Sequence, residues 1–417
     1  MSVSRRKILA AGAAAGVGAF ATRASAASFG NPDEPPQGIV NTQGNPRSAV
    51  DPGPQNPALS GQFRAAFTPP ATDVGGLPEF WASFNNAPRR IQDGGWARQV
   101  TQADFQVSTS ISGVNMRLDA GGIRELHWHQ AAEWGFMTYG NCRVTVLDPE
   151  GRAFVADVKE GDVWYFPVGF PHSLQGLGPD GAEFLLAFDN GEQSEFNTLL
   201  VTDWVAHTPP DVLALNFGVP AETFSKIFTH DLWIFQSAVP GPLAAAQDAV
   251  KNPNGPPPNP FIYSLAGGPV AKQTRGGAVQ IADSHNFKAS TTIAAALVTV
   301  HPGGMREMHW HPNADEWQYY VKGFAQMTVF NTGPKAVTNN FGAGDIGYVK
   351  ANYGHYIKNL GDTDLVFLEI FKADSYQDIS LSDWLTHTPP AVVAAHFNLS
   401  LEDIAKFPNN APVVMPI

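Results

Sequence analysis

Three imidazoles and a carboxylate, present twice, are the residues of this chain whose types and spacing could do chemistry. The stretch GGIRELHWHQAAEWGFMTYG, Gly121 to Gly140, offers His127, His129 and Glu133, and from Gly303 the sequence GGMREMHWHPNADEWQYYVKG offers His309, His311 and Glu316. Each copy gains a later histidine, His172 in GDVWYFPVGFPHS and His355 in GDIGYVKANYGHY. On a strand, alternate side chains share a face, so both histidines of HWH point one way and Trp128 or Trp310 between them points the other. Imidazoles and a carboxylate converging from neighbouring strands form an N3O metal site that leaves positions for water or substrate. Any one of these histidines alone reads as an ordinary core or surface residue, but two matching sets of buried polar groups without a use would be costly. The residue types do not choose among Mn, Fe, Ni, Cu and Zn, of which Mn(II) is the weakest binder.

The elements that must position these groups are short strands. At 417 residues with an internal repeat, the chain holds two domains plus extensions. From residue 95 the pattern is apolar runs separated by Gly, Asp and Pro, with Asp148 to Gly151 (DPEG) composed as a hairpin turn. The series recurs from residue 281, which predicts two all-β barrels. Helical pieces follow each, TDWVAHTPPDVLALNF and SDWLTHTPPAVVAAHF, with Thr208 and Thr388 expected as N-caps, Pro209 and Pro389 at the first helical position, and His207 and His387 structural. The division is residues 1–26 a leader, 27–94 an extended arm, 95–228 and 281–417 the barrel domains with helical appendages, and 229–280 a linker with connecting strands. Within the linker, Lys251 to Pro260 is Pro-rich. In the arm, the aromatic residues from Phe63 to Phe84 are expected to pack on a barrel or a neighbouring subunit.

A net charge of −12 argues against a nucleic-acid partner, and an anionic substrate would need local positive charge to capture it. The leader carries Arg5, Arg6 and Lys7, a small-residue run of modest apolarity and Ala24-Ser25-Ala26, like a bacterial twin-arginine export signal. It is too weakly apolar for a membrane anchor, so the mature form is expected off the membrane, periplasmic or secreted. Cys142 is the single cysteine and precludes an intrachain disulfide.

Gly, HxH, Glu and Gly, followed by GD and a final His, resemble the cupin superfamily, whose fold is the double-stranded jelly-roll barrel. RIQDGGWARQVT, IRELHWH, AEWGFMTYG, GDVWYFPVGFPHS and TDWVAHTP, with MREMHWHPNADEWQYYV, GDIGYV and LVFLEIF in the second half, are similar to the bicupin oxalate decarboxylases over roughly residues 55 to 400. That resemblance implies two manganese ions per chain, held by His127, His129, Glu133 and His172 and by His309, His311, Glu316 and His355. It implies oxalate as substrate, formate and carbon dioxide as products, and dioxygen as redox cofactor. Arg124 and Arg306 would grip the substrate carboxylate, for which a guanidinium is a flat, permanently charged fork. Each lies three residues before an HxH and would face outward on an unbroken strand, so a turn or bulge must intervene.

Oxalate chemistry calls for a redox-active metal, a base for the proton, and an acid that returns a proton to carbon once carbon dioxide has left. The resemblance gives the acid role to Glu195, in the lid sequence SEFN, with Glu369 as its counterpart in the second barrel, where burial should raise its pKa. Bacterial members usually carry Ser-Glu-Asn-Ser at the lid; here Phe196 and Asn197 take the last two places, predicting altered closed-state hydrogen bonds and a phenyl ring that hinders closure. Only the first barrel carries the lid and is expected to be the main catalyst. Oxalate oxidase, releasing hydrogen peroxide, and a non-catalytic metal- or ligand-binding bicupin are the alternatives. Family members are commonly hexamers built from trimers, so a homo-oligomer is expected.

Overall fold

The computed structural model describes residues 56–408 and 412–416. The leader and the start of the arm lie outside the described residues. The chain divides into two compact units. The smaller comprises, among described residues, 56–73 with Thr338–Asn340. Here Asn56 caps the helix Pro57–Gln62, the Ala65 N–H donates to Asn340 Oδ1 at 2.8 Å, and Asp73 accepts from Thr338 N at 2.8 Å and Thr338 Oγ1 at 2.7 Å.

The larger unit holds both barrels. In the first, the strands neighbour one another in the order Leu199–Leu200, Gly122–Trp128, His172–Gly176, Glu133–Leu147, Ala182–Phe188, Ser112–Leu118, Gly95–Val100 and Arg90–Gln92. The long strand Glu133–Leu147 pairs with Ala182–Phe188 and Asp162–Phe166 along its first half, and with Ala153–Lys159 and His172–Gly176 along its second. Both faces of the barrel are thereby tied by one segment. It turns at Gly140, φ 73°, where a Cβ would lie 2.1 Å from the Gly181 carbonyl oxygen. In the second barrel the same run is broken at Gly323, φ 91°, into Glu316–Lys322 and Phe324–Asn331, which lie in two separate sheets.

One hydrophobic core spans the two barrels. Phe84, Val114, Trp134 and Leu185 pack in the same cluster as Phe287, Ile293, Trp317 and Ile370. Trp317 lies so close to Gly113 that a Cβ there would meet its Cζ2 at 2.7 Å.

The connecting segments do more than connect. Among described residues the arm is not simply extended: Trp81–Ser83 pairs with Asp345–Val349 of the second barrel, Arg90–Gln92 forms a hairpin with Gly95–Val100, and Phe80 and Phe84 are buried. In the linker, Ile234–Gln236 adds to Gly122–Trp128, and Ile262–Ser264 adds to Asp162–Phe166. Val414–Met415 completes the second barrel in the way Ile234–Gln236 completes the first. The DPEG turn forms, with Gly151 N–H donating to the Asp148 carbonyl at 3.0 Å.

The helix caps fall one residue later than the sequence suggests. The helices run Pro210–Phe217 and Pro390–Phe397 with Pro209 and Pro389 as N-caps. A residue before proline is kept out of the helical region, so Pro209 is extended, ψ 137°, and the second proline of each pair opens the helix. Thr208 and Thr388 instead donate to the carbonyls of Trp204 and Trp384, both at 2.8 Å. His207 and His387 close the preceding helices, each ring facing the carbonyl of Asp203 or Asp383.

Candidate metal centres and the first-barrel cavity

Strand pairing brings each ligand set together. His127 stands opposite His172 and His309 opposite His355, and in both strands the register shifts between the arginine and the first histidine. That bulge is the phase correction the sequence required. It lets Arg124, Glu125 and His127, and equally Arg306, Glu307 and His309, all be buried. Trp128 and Trp310 face away, edge-on to Trp204 and Trp384 at centroid distances of 5.7 and 5.9 Å.

The ligand atoms of His127, His129, Glu133 and His172 lie within 4.8 Å of one another, as do those of His309, His311, Glu316 and His355. Their hydrogen bonding fits a bound cation. In the second set every Nδ1 faces a backbone carbonyl, Glu307 O at 2.7 Å, Gln377 O at 2.7 Å and Tyr353 O at 3.1 Å. A proton held at Nδ1 leaves the lone pair at Nε2, and the Nε2 atoms of His309 and His311 are 3.2 Å apart. Two lone pairs at that distance repel unless a positive charge lies beside them. In the first set, His127 and His172 face Glu125 O at 2.5 Å and Phe170 O at 2.8 Å in the same manner.

Burial pushes His127, His129 and His309 well below the usual histidine pKa, toward the neutral form that can ligate. Burial acts the same way on His311, but its hydrogen bond to Glu316 and that carboxylate's charge raise it instead. Buried Glu316 Oε2 faces the Nε2 atoms of His355 at 2.8 Å and His311 at 3.4 Å, and buried Glu133 Oε2 faces His172 Nε2 at 3.4 Å. A divalent ion would satisfy all of them. The other carboxylate oxygen of each glutamate is held: Trp164 Nε1 donates to Glu133 Oε1 at 2.8 Å, and Gln318 Nε2 donates to Glu316 Oε1 at 2.8 Å.

Beside the first set is a small cavity of about 10 Å³, bounded by Arg124, Glu195 and Thr198 as well as His127, His129 and Glu133, with Leu186 and Phe188 as apolar wall. That is room for about one water molecule. Glu195 opens a single 3-10 turn, Glu195–Asn197. The altered lid is internally hydrogen-bonded: Ser194 Oγ accepts from Phe196 N at 3.1 Å, and Asn197 Oδ1 accepts from Ser194 N at 2.8 Å and from Gln193 Nε2 at 2.8 Å. The phenyl ring of Phe196 is exposed and does not line the cavity. Phe196 lies edge-on to Trp233, centroids 5.9 Å apart, with Glu195 inside the cavity. Glu195 Oε2 accepts from Arg90 Nη2, while its Oε1 and the Thr198 hydroxyl are buried without partners.

The two arginines, alike in sequence, differ in engagement. Among the described residues Arg124 makes no ion pair, and its one hydrogen bond runs to the Trp233 carbonyl at 3.3 Å. Burial lowers its pKa, but from so high a starting value that it stays charged. Arg306 instead meets Asp378 at 2.6 Å, Glu369 at 3.3 Å and the Tyr376 hydroxyl at 2.8 Å. Glu369 is fully buried, and burial raises its pKa despite the Arg306 charge.

Register also corrects the pairing of the acids. Leu186 faces Gly135 as Glu369 faces Gln318, so Leu186 is the positional equivalent of Glu369. Leu199 and Ile379 both face the tryptophan of HWH, which places Ser375 where the first barrel has Glu195 and Asp378 where it has Thr198. Sequence reading missed Arg90, Trp233, Thr198, Tyr376 and Asp378. It also missed Trp164 and Gln318, which a position-by-position comparison of the two halves could have flagged.

The cupin family pattern matches residues 82–224 and 266–405. An oxalate decarboxylase of Bacillus subtilis is 51% identical over 347 residues, 83% of this chain and 89% of that protein. An oxalate decarboxylase of Arthroderma benhamiae is 38% identical across 86% of this chain and 90% of that one. A solved structure of the Bacillus subtilis enzyme, concerned with its Mn(II) centres, superposes with a TM-score of 0.86 at 47% identity, covering 92% of this chain and 100% of the other. Duplicated barrels, two N3O constellations and these likenesses together place the chain in the cupin family, among the bicupin oxalate decarboxylases.

Proposed function

We propose that this chain converts oxalate to formate and carbon dioxide at a manganese centre in the first barrel, held by His127, His129, Glu133 and His172, with dioxygen as redox cofactor. The observation that carries the reading is the cavity beside that set, which holds one unpaired guanidinium and one unpaired carboxylate oxygen. Manganese, when bound, supplies a redox-active Lewis acid that fixes one end of the substrate.

Arg124, which makes no ion pair among the described residues, binds an oxalate carboxylate and cannot itself serve as an acid. Glu195 carries the proton that carbon receives once carbon dioxide has left, and proton transfer of this kind is worth about 10² to 10⁴ in rate. With room for about one water, the cavity admits oxalate only when the lid segment around Glu195 swings out. Closure then excludes solvent, which favours formate over further oxidation.

His309, His311, Glu316 and His355 hold a second manganese whose role is stability, because Asp378 and Glu369 already occupy Arg306. Residues 1–26 direct export by the twin-arginine route to the periplasm or beyond, and the mature protein acts as a homo-oligomer off the membrane. No described helix is long and apolar enough to cross one.

The test is a formate and peroxide assay on metal-analysed protein. Glu195→Gln should keep manganese and oxalate affinity, lose formate output by about tenfold or more, and raise peroxide as a share of turnover. Normal formate output from Glu195→Gln would remove Glu195 from the mechanism, and peroxide as the main product of the native protein would make it an oxidase.

A further inference from the structure

We infer that Arg90 is a positioning residue for the reaction: stacked on Trp233 and bonded to Glu195 Oε2, it presents Glu195 Oε1 to the cavity and fixes the transferable proton on that atom. The inference rests on the role proposed for Glu195 and adds to it which oxygen acts and what holds it. Arg90 enters on the short strand Arg90–Gln92, outside the metal-bearing strands, and its side chain is half-buried. Nη2 donates to Glu195 Oε2, and Nη1 donates to Gln92 Oε1. Gln92 in turn donates to the Leu232 carbonyl at 3.2 Å.

Trp233 is the platform. The guanidinium carbon of Arg90 lies 4.8 Å from the centre of its ring and that of Arg124 lies 5.3 Å away, both within cation–π range. Its backbone has φ 54°, a left-handed conformation that is costly for a residue with a bulky side chain. The conformation is imposed by a buried carboxylate: Glu125 Oε2 accepts from the N–H groups of Leu232 and Trp233 at 2.7 and 2.6 Å, and Glu125 Oε1 accepts from Thr202 Oγ1 at 2.7 Å. Glu125 therefore serves as an anchor, directed away from the ligand set. Phe196 rests edge-on against the same ring, so the residue beside Glu195 in the lid is seated on the same platform.

The chemistry follows from which oxygen is occupied. An oxygen accepting a charge-assisted bond from a guanidinium is the one that does not carry the proton. When Glu195 is protonated, the proton therefore resides on Oε1, which is buried, unpaired and on the cavity. Without Arg90 the carboxyl could rotate, and either oxygen could face the substrate or neither could.

The test uses Arg90→Met and Arg90→Lys in the full, manganese-loaded chain, each alone and combined with Glu195→Gln. Arg90→Met should lower kcat for formate by about tenfold with a smaller change in KM for oxalate, and Arg90→Lys should restore most of the loss. Combined with Glu195→Gln, Arg90→Met should add less than about a factor of two, because both act through one carboxyl. In metal-free protein, amide hydrogen exchange across residues 190–198 should accelerate in Arg90→Met and return toward normal in Arg90→Lys. An equal loss from Arg90→Met in both backgrounds, or lid exchange that does not change, would overturn the assignment while leaving the role of Glu195 intact. Full formate output from Glu195→Gln alone would instead sink that role and this inference with it.

Discussion

Trp164 and Gln318 reach the two metal-site glutamates from different strands, yet each donates to Oε1 of its partner at 2.8 Å. Space has been exchanged between the barrels to allow this. A Cβ on Gly135 would meet Trp164 at 2.1 Å, and a Cβ on Gly347 would meet the Gln318 side chain at 2.4 Å. Large and small residues have therefore swapped strands while the donor to the carboxylate is kept. Such outer partners orient a ligand, and their loss typically costs about 10- to 100-fold in metal affinity. Trp164→Phe should weaken manganese binding at the first site by about that factor and leave the second site filled, as read by metal titration of the purified protein. Equal weakening at both sites would show that Trp164 acts on the fold and not on Glu133. Arg124→Lys should keep metal and raise KM for oxalate, because an ammonium is a point charge without the planar fork.

At the scale of the element, the lid depends on a close approach at its start. Gly191 accepts from the Gln102 N–H at 2.7 Å, and a Cβ at this position would sit 2.1 Å from the Ser108 carbonyl oxygen. Backbone cannot yield as a side chain can. Gly191→Ala should cost about 1–3 kcal/mol through overpacking and displace the lid, giving a lower melting temperature together with a higher peroxide share. A normal product ratio at lowered stability would mean that the lid turn is insulated from its hinge. In the second barrel the corresponding segment lies against the arginine. Tyr376 and Asp378 engage Arg306, and Asp378 holds its ionised form because the Arg306 and Lys272 charges outweigh its burial.

For the whole molecule, the shared core predicts one cooperative unfolding transition instead of two. Trp317 is fully buried in the cluster that takes residues from both barrels, and Trp317→Ala should cost about 3–5 kcal/mol. Both metal ions should then be lost over the same temperature range. Two resolved calorimetric transitions, with only the second site emptied first, would separate the barrels. His172→Ala should abolish formate production while the second site stays loaded, whereas His355→Ala should empty the second site and lower the melting temperature with the first-site chemistry largely retained. Replacing residues 1–26 by a signal for unfolded export should reduce manganese occupancy, because a chain folding outside the cytoplasm meets stronger-binding metals first.

The ligand sets, the barrels and the duplication were legible in the sequence because each is a local pattern. HxH reports a shared strand face, a Gly-rich boundary reports a turn, and repetition of both reports two equivalent domains. Even the bulge between Arg124 and His127 followed from strand phase alone, and the strand register bears it out. What the sequence left open are relations between segments far apart in the chain. Arg90, Glu195 and Trp233 carry no mutual spacing that marks them; the strands Leu199–Leu200 and Ile234–Gln236, which follow the lid and Trp233, both pair with Gly122–Trp128, and Arg90 and Gln92 reach Glu195 and the Leu232 carbonyl from a separate hairpin. The same holds for the two arginines. Arg124 and Arg306 occupy identical sequence contexts, and whether each guanidinium stays free for a substrate or is neutralised depends on residues delivered by another segment. Thr198 and a void border one; Asp378 fills the place beside the other. Local pattern fixes which side chains share a face, but charge partners and cavities arise from packing, and packing decided which guanidinium borders a cavity and which is ion-paired.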